Sequence, residues 1–195
     1  MVERETGTSD GRRRRSETSR DKIVEAMLAL VAEGQITPSA DQVATRAEVG
    51  LRSVFRHFKD MESLYAEMTG RLAGQYAMWL VPYDSADWRG QMAETIARRL
   101  TTYERLMPFK RAADAHRHES PAIQANYSGT LAMMRTRLKS ILPEEIAAEE
   151  QVFETVDLLL SFETWQRLRM EQGLSVDTAT AIIKAQVDRL IEPRS

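Results

Sequence analysis

The stretch from Ser39 to Phe58, SADQVATRAEVGLRSVFRHF, constrains this chain more than any other. Ser39 can cap a helix, and Gln42 three residues on completes a capping box. Val43, Ala44 and Ala47 then form a small apolar stripe at helical spacing. At Glu48-Val49-Gly50 the pattern breaks, and the glycine there removes the steric barrier to an unusual backbone angle. A second short helix, about 51–57, turns Val54 and Phe58 inward and Arg52, Ser53, Arg56 and His57 outward. Two helices this short bury too little surface to fold alone, so each needs a neighbour.

Neighbours are available on both sides. Ile23, Met27, Leu30 and Val31 place a core-facing stripe on a helix over about 19–32, closed by Gly34 and separated from the next by Pro38. After Lys59, Asp60 caps a fourth helix that carries Leu64, Tyr65, Met68, Leu72, Tyr76 and Trp79 before Pro82. A short pair braced in this way is how a helix-turn-helix is built, with its second helix placed in the DNA major groove.

Beyond residue 82 the sequence predicts helices only, set out by caps and prolines. One opens at Ser85 and another at Pro108; a third follows Ser120-Pro121 and a fourth runs from Pro143 to Gln172 before Gly173. Ser175 caps the last, which ends near Ile191. The expectation is an all-α chain of about nine helices: a basic arm (1–18), a helix-turn-helix domain (19–64) and an effector-binding and dimerisation domain (65–195). The arm has no valine, leucine, isoleucine or aromatic residue apart from Val2, so it is expected to be disordered. Its run Arg12 to Arg15 reads either as a phosphate-neutralising arm or as a solvated tail.

Charge supports the DNA reading only when divided by position. The whole chain carries −2. Residues 11–60 hold ten Lys/Arg against seven Asp/Glu, a net of +3, whereas residues 61–195 hold sixteen against nineteen, a net of −3. The chain has no cysteine, which excludes thiol catalysis, disulfides and cysteine-bound zinc and suits a cytoplasmic protein. No apolar run approaches the roughly 18 residues of a membrane span. His116 and His118 stand two apart and so face different sides of a helix, a poor metal grip. No catalytic motif or phosphate loop occurs, so neither an enzyme nor a cofactor is expected.

With these residues in view, the chain resembles the TetR family of transcriptional regulators. Val43-Ala44, Ala47-Glu48-Val49 and Ser53-Val54-Phe55-Arg56-His57-Phe58, followed by Glu62 and Leu64, carry the likeness. Three positions depart from the family pattern: Glu48 stands where a turn glycine is usual, Phe55 where a tyrosine is frequent, and Met61 where a lysine is common. The resemblance implies a homodimeric repressor that leaves its double-stranded operator when a small molecule binds the C-terminal domain.

Arg52 and Ser53 are the expected base readers, because arginine grips guanine bidentately. Leu51 suits a thymine methyl, Thr37, Ser39 and His57 suit phosphates, and Arg56 suits either. Phe55 and Lys59 complete the expected surface. For the effector, Trp79, Met92, Tyr103, Met107, Tyr127, Met134 and Trp165 supply an adaptable apolar lining, although for any one of them core is the better reading. Asp157 and Glu163, within or beside the apolar run Leu158-Leu159-Leu160-Ser161-Phe162, each meet an arginine, face water or bind a cationic ligand, an intra-protein partner being the favoured answer. That run is expected to be covered on both faces, one of them by a second copy of the chain. The competing reading is a constitutive or architectural DNA-binding factor without ligand control.

Overall fold

A computed structural model describes residues 7–192, and at residues 7–16, 73, 75 and 77 it describes the backbone alone. Among the described residues the structure is all helix and turn, with no strand. The order is α1 (Gly7–Ala32), α2 (Ala40–Arg46), α3 (Leu51–His57), α4 (Met61–Leu72), a 3-10 segment (Ala73–Trp79), α5 (Trp88–Arg117), α6 (Pro121–Ile141), α7 (Glu144–Ala148), α8 (Glu150–Leu159), α9 (Phe162–Gln166), a π turn (Arg167–Glu171) and α10 (Val176–Ile191).

Several elements differ from the sequence expectation; α4, expected to carry Tyr76 and Trp79, ends at Leu72 and gives way to the 3-10 segment. First, α1 begins at Gly7, so residues 7–18 are helical where a disordered arm was expected. Arginine and glutamate are good helix formers, and continuing an existing helix avoids the cost of nucleation. The side chains of Arg12 to Arg15, and residues 1–6, lie outside the described residues. Second, Pro108 does not start a new helix but sits inside α5. It removes only the bond to the Glu104 carbonyl, and the flanking turns carry the helix through.

Third, the expected long helix from Pro143 to Gln172 is divided. Leu160 and Ser161 leave the helical path, and Ser161 caps α9 by accepting from the Thr164 N–H at 3.1 Å. The break frees the Leu160 carbonyl, which accepts from the Tyr103 hydroxyl at 2.9 Å and from Arg99 at 3.4 Å. Leu160 and Phe162 are buried, but Leu158 is 62% exposed. The apolar run is therefore not one continuous helical cylinder.

The chain forms two compact units. The first comprises Met1–Leu72 with Pro108–Asn126, the second Ala73–Met107 with Tyr127–Ser195. Residues 108–126 thus fall in the same unit as the segment expected to hold the helix-turn-helix. The core of that unit is built from Ile23, Met27 and Val31 of α1, Val43 and Ala44 of α2, Val54 and Phe58, and Leu64 and Met68 of α4. Ala112, Ala113 and Ile123 close it. Tyr65 is buried there, donates to the Ile36 carbonyl at 3.2 Å, and has its hydroxyl pKa pushed up to about 12 by burial.

The second unit packs α8 against α10, which buries Ala179, Ile183, Val187 and Ile191 at four-residue spacing. Each such isoleucine or valine contributes roughly 1.5–3 kcal/mol. Ser175 caps α10, with the Thr178 N–H donating to its hydroxyl at 3.1 Å. Trp165 is fully buried, and its indole N–H donates to Glu104 at 3.0 Å. No helix among the described residues is long and apolar enough to cross a membrane.

Candidate nucleic-acid interface

The short helix α3 is held from both ends. At its start, α2 carries the expected capping box: Ser39 Oγ accepts from the Gln42 N–H at 3.2 Å, and the Gln42 side chain accepts from the Ser39 N–H at 2.8 Å. The turn that follows differs in one respect. Gly50 has φ −72°, an ordinary extended angle, and acts as the N-cap of α3. The left-handed residue is Glu48, with φ 55°. That conformation lets the Val49 N–H reach back to the Ala44 carbonyl at 3.0 Å. A side chain at such an angle costs about 1–2 kcal/mol, which the surrounding bonds offset.

At the far end, Arg20 of α1 secures the helix. It donates to the His57 carbonyl at 3.2 Å, lies 4.4 Å over the Phe58 ring, and pairs with Glu67 at 2.6 Å. Sequence reading did not single out Arg20, since 37 residues separate it from its acceptor. α4 is capped by Asp60, which accepts from the Ser63 N–H at 2.8 Å. These hydrogen bonds hold the Asp60 carboxyl below its usual range.

Held in this way, α3 buries Val54 and presents Leu51, Arg52, Phe55 and Arg56 to solvent, with Ser53 and His57 half-exposed. Neither Arg52 nor Arg56 pairs with a carboxylate among the described residues. Arg56 donates to the Ser53 hydroxyl at 3.0 Å and lies 3.5 Å from the His57 ring. Partial burial first, then Arg56 and Arg20, lower the His57 pKa from 6.5, so the free protein holds it neutral near pH 7. Thr37, Ser39 and Lys59 are exposed. Leu51 and Phe55, at 39% and 47% exposure, give this face an apolar strip one helical turn long.

The seven residues expected around an effector are not brought together as one lining. Met92, Tyr103, Met107 and Trp165 are core, and the Tyr103 hydroxyl, already bonded to Leu160, is held far above its usual range by burial. Tyr127 is half-exposed, with its hydroxyl 3.4 Å from Glu163. Trp79 and Met134 line a cleft together with Tyr83, Thr95, Arg98, Arg99, Met133 and Arg137. The cleft offers about 10 Å³, room for roughly one water. Asp157 meets arginine as expected, 2.7 Å from Arg135 and 3.7 Å from Arg99. No group of three metal-ligating side chains occurs among the described residues.

No family model and no curated protein matches the sequence. The fold, however, has known counterparts. A candidate transcriptional regulator from Streptomyces coelicolor A3(2) superposes with TM-score 0.60 at 19% identity, covering 90% of this chain and 99% of that one. A candidate TetR-family transcriptional regulator from Rhodococcus sp. gives 0.61 at 15% identity, covering 89% and 99%. A TetR transcriptional regulator from Rhodococcus sp. RHA1 gives 0.56 at 14% identity, covering 93% and 99%. This chain has the fold of TetR-type regulators along nearly its whole length.

Proposed function

We propose that this protein is a sequence-specific DNA-binding transcriptional regulator. The observation that carries the reading is the outer face of α3: a helix capped, braced by Arg20, and showing two arginines with no carboxylate partner among the described residues. The fold likeness to TetR-type regulators supports it. Arg52 and Ser53 read base edges, Leu51 and Phe55 meet thymine methyls, and Thr37, Ser39, His57 and Lys59 engage phosphates. The Arg12 to Arg15 run adds non-specific affinity, which removal of residues 1–17 tests: an unchanged salt slope of DNA binding would exclude that role.

The finer reading is a homodimeric repressor released by a small molecule. Dimerisation is favoured by α8 and α10, which pack together while leaving Leu158 and Ile182 exposed. Replacing Leu158 with glutamate should give a monomer by sedimentation. The constitutive reading keeps a claim because the cleft holds only about 10 Å³. Selection of bound sites from random DNA is the decisive experiment. Two symmetric half-sites are expected, whereas a single unpaired half-site would count against the dimer.

A further inference from the structure

The cleft of the second unit has an arrangement that fold maintenance does not explain. The segment 80–85, whose Leu80 and Val81 side chains are exposed, contributes Tyr83 to its lining and straps across two of its arginines, Arg98 and Arg137. This strap is fastened by its backbone and by one ring. Arg98 donates to the Val81 carbonyl at 2.6 Å and to the Pro82 carbonyl at 2.8 Å, and Arg137 donates to Val81 at 2.7 Å. Tyr83 is flanked by both guanidiniums, Arg137 at 4.3 Å and Arg98 at 4.9 Å from the ring centre. Its hydroxyl lies 2.9 Å from that of Thr95.

The charges do not cancel. Arg98 pairs with Glu94 at 2.8 Å, and Arg99 shares Asp157 with Arg135. Arg137 has no ion pair among the described residues, and its buried Nε has no hydrogen-bond partner. A guanidinium held by neutral carbonyls is bound less strongly than one facing a carboxylate, where charge-assisted bonds are roughly twice as strong. Behind the arginines the walls are apolar: Trp79, Met133 and Met134.

We propose that this cleft binds a monocarboxylate with an apolar body. Its carboxylate takes Arg137 and Arg98 in place of the Val81 and Pro82 carbonyls, and its body enters between Trp79 and the two methionines as the strap lifts. This deepens the effector reading given above, since it names the chemistry such an effector would have.

Calorimetric titration of the full chain with 4-phenylbutyrate and decanoate, each compared with its neutral amide, tests the proposal. Both acids should bind at least about tenfold more tightly than their amides, a factor equivalent to about 1.4 kcal/mol. Arg137→Gln should bring acid and amide to the same affinity, and Arg137→Lys should retain part of the difference. Arg105→Gln, on an exposed part of α5, should change nothing. Equal binding of acid and amide, an Arg137→Gln protein that still prefers the acids, or no heat at millimolar ligand would overturn the site. Operator release is read separately: acids that bind without releasing DNA leave the site standing and remove effector control. Absence of binding removes the site alone.

Discussion

In the first unit Arg52 and Arg56 stand exposed on a short helix and meet no carboxylate among the described residues. In the second, Arg99, Arg135 and Arg169 are drawn into the fold. Arg99 is buried against Leu160, Met134 and Asp157, Arg135 joins Glu154 to Asp157, and Arg169 grips Glu104 through two nitrogens at 2.8 and 3.0 Å. The same side chain thus serves two ends. Left without an acidic partner it keeps its full attraction for phosphate and base, and matched to a buried acid it fastens helices that lack a local reason to meet. Arginine content alone therefore says little about where DNA binds; what matters is which arginines the fold leaves unpaired.

The sharpest break of that comparison is a pair of truncations. Arg99→Ala should destabilise the protein by about 3–5 kcal/mol, because it strips one of two arginine partners from buried Asp157 and removes a buried side chain that also donates to the Leu160 and Met134 carbonyls. Urea unfolding measures this, and a loss below about 1 kcal/mol would mean that Arg135 alone suffices for Asp157. Arg52→Ala should behave in the opposite way. Its stability should stay within about 0.5 kcal/mol of the parent, while discrimination at one base position drops by about 1–3 kcal/mol. If Arg52→Ala weakened every sequence alike, Arg52 would be a phosphate contact and the assignment of roles along α3 would need reversing.

The two regions also differ in how far their sequences announced them. The caps at Ser39, Gly34, Gly173 and Ser175 were all legible, because a cap acts on residues two to four positions away. The inward and outward faces of α3 followed from helical spacing for the same reason. What sequence could not show was long-range pairing. Arg20 reaches His57 across 37 residues and Arg99 reaches Leu160 across 61. The break at Ser161 belongs with these, since the freed Leu160 carbonyl is satisfied by Tyr103 and Arg99, neither of which is near in sequence. Met92, Tyr103 and Trp165 illustrate the limit on ligand sites: helical periodicity marks a residue as inward-facing, and core and cavity linings share that property.

A smaller effect probes the turn that aims α3. Glu48 pays a conformational cost at φ 55° that glycine would not. Glu48→Gly should stabilise the protein by about 0.5–1 kcal/mol, the relief of left-handed strain being reduced by the greater freedom of glycine in the unfolded chain. It also removes a negative charge beside α3, so under the proposed function DNA affinity should rise slightly at low salt and the gain should fade as salt is added. A loss of stability would show that Glu48 makes a compensating contact in solution.

The smallest expected effect concerns His57, where folding and DNA binding should respond to pH in opposite directions. The fold lowers its pKa from 6.5, so between that lowered value and 6.5 the unfolded chain binds more protons than the folded one. Its contribution to stability is complete above about pH 6.5 and declines as pH falls below it. A phosphate beside the ring has the reverse influence, since it favours the imidazolium and raises the pKa in the complex. Operator affinity should therefore increase as pH drops from about 7.5 to 6, by less than roughly tenfold for one proton taken up. His57→Gln should flatten both trends while keeping a hydrogen-bond donor at the same place. Were the affinity trend to survive in that variant, the proton would belong to another group and His57 would be a packing residue at the end of α3, not a phosphate contact.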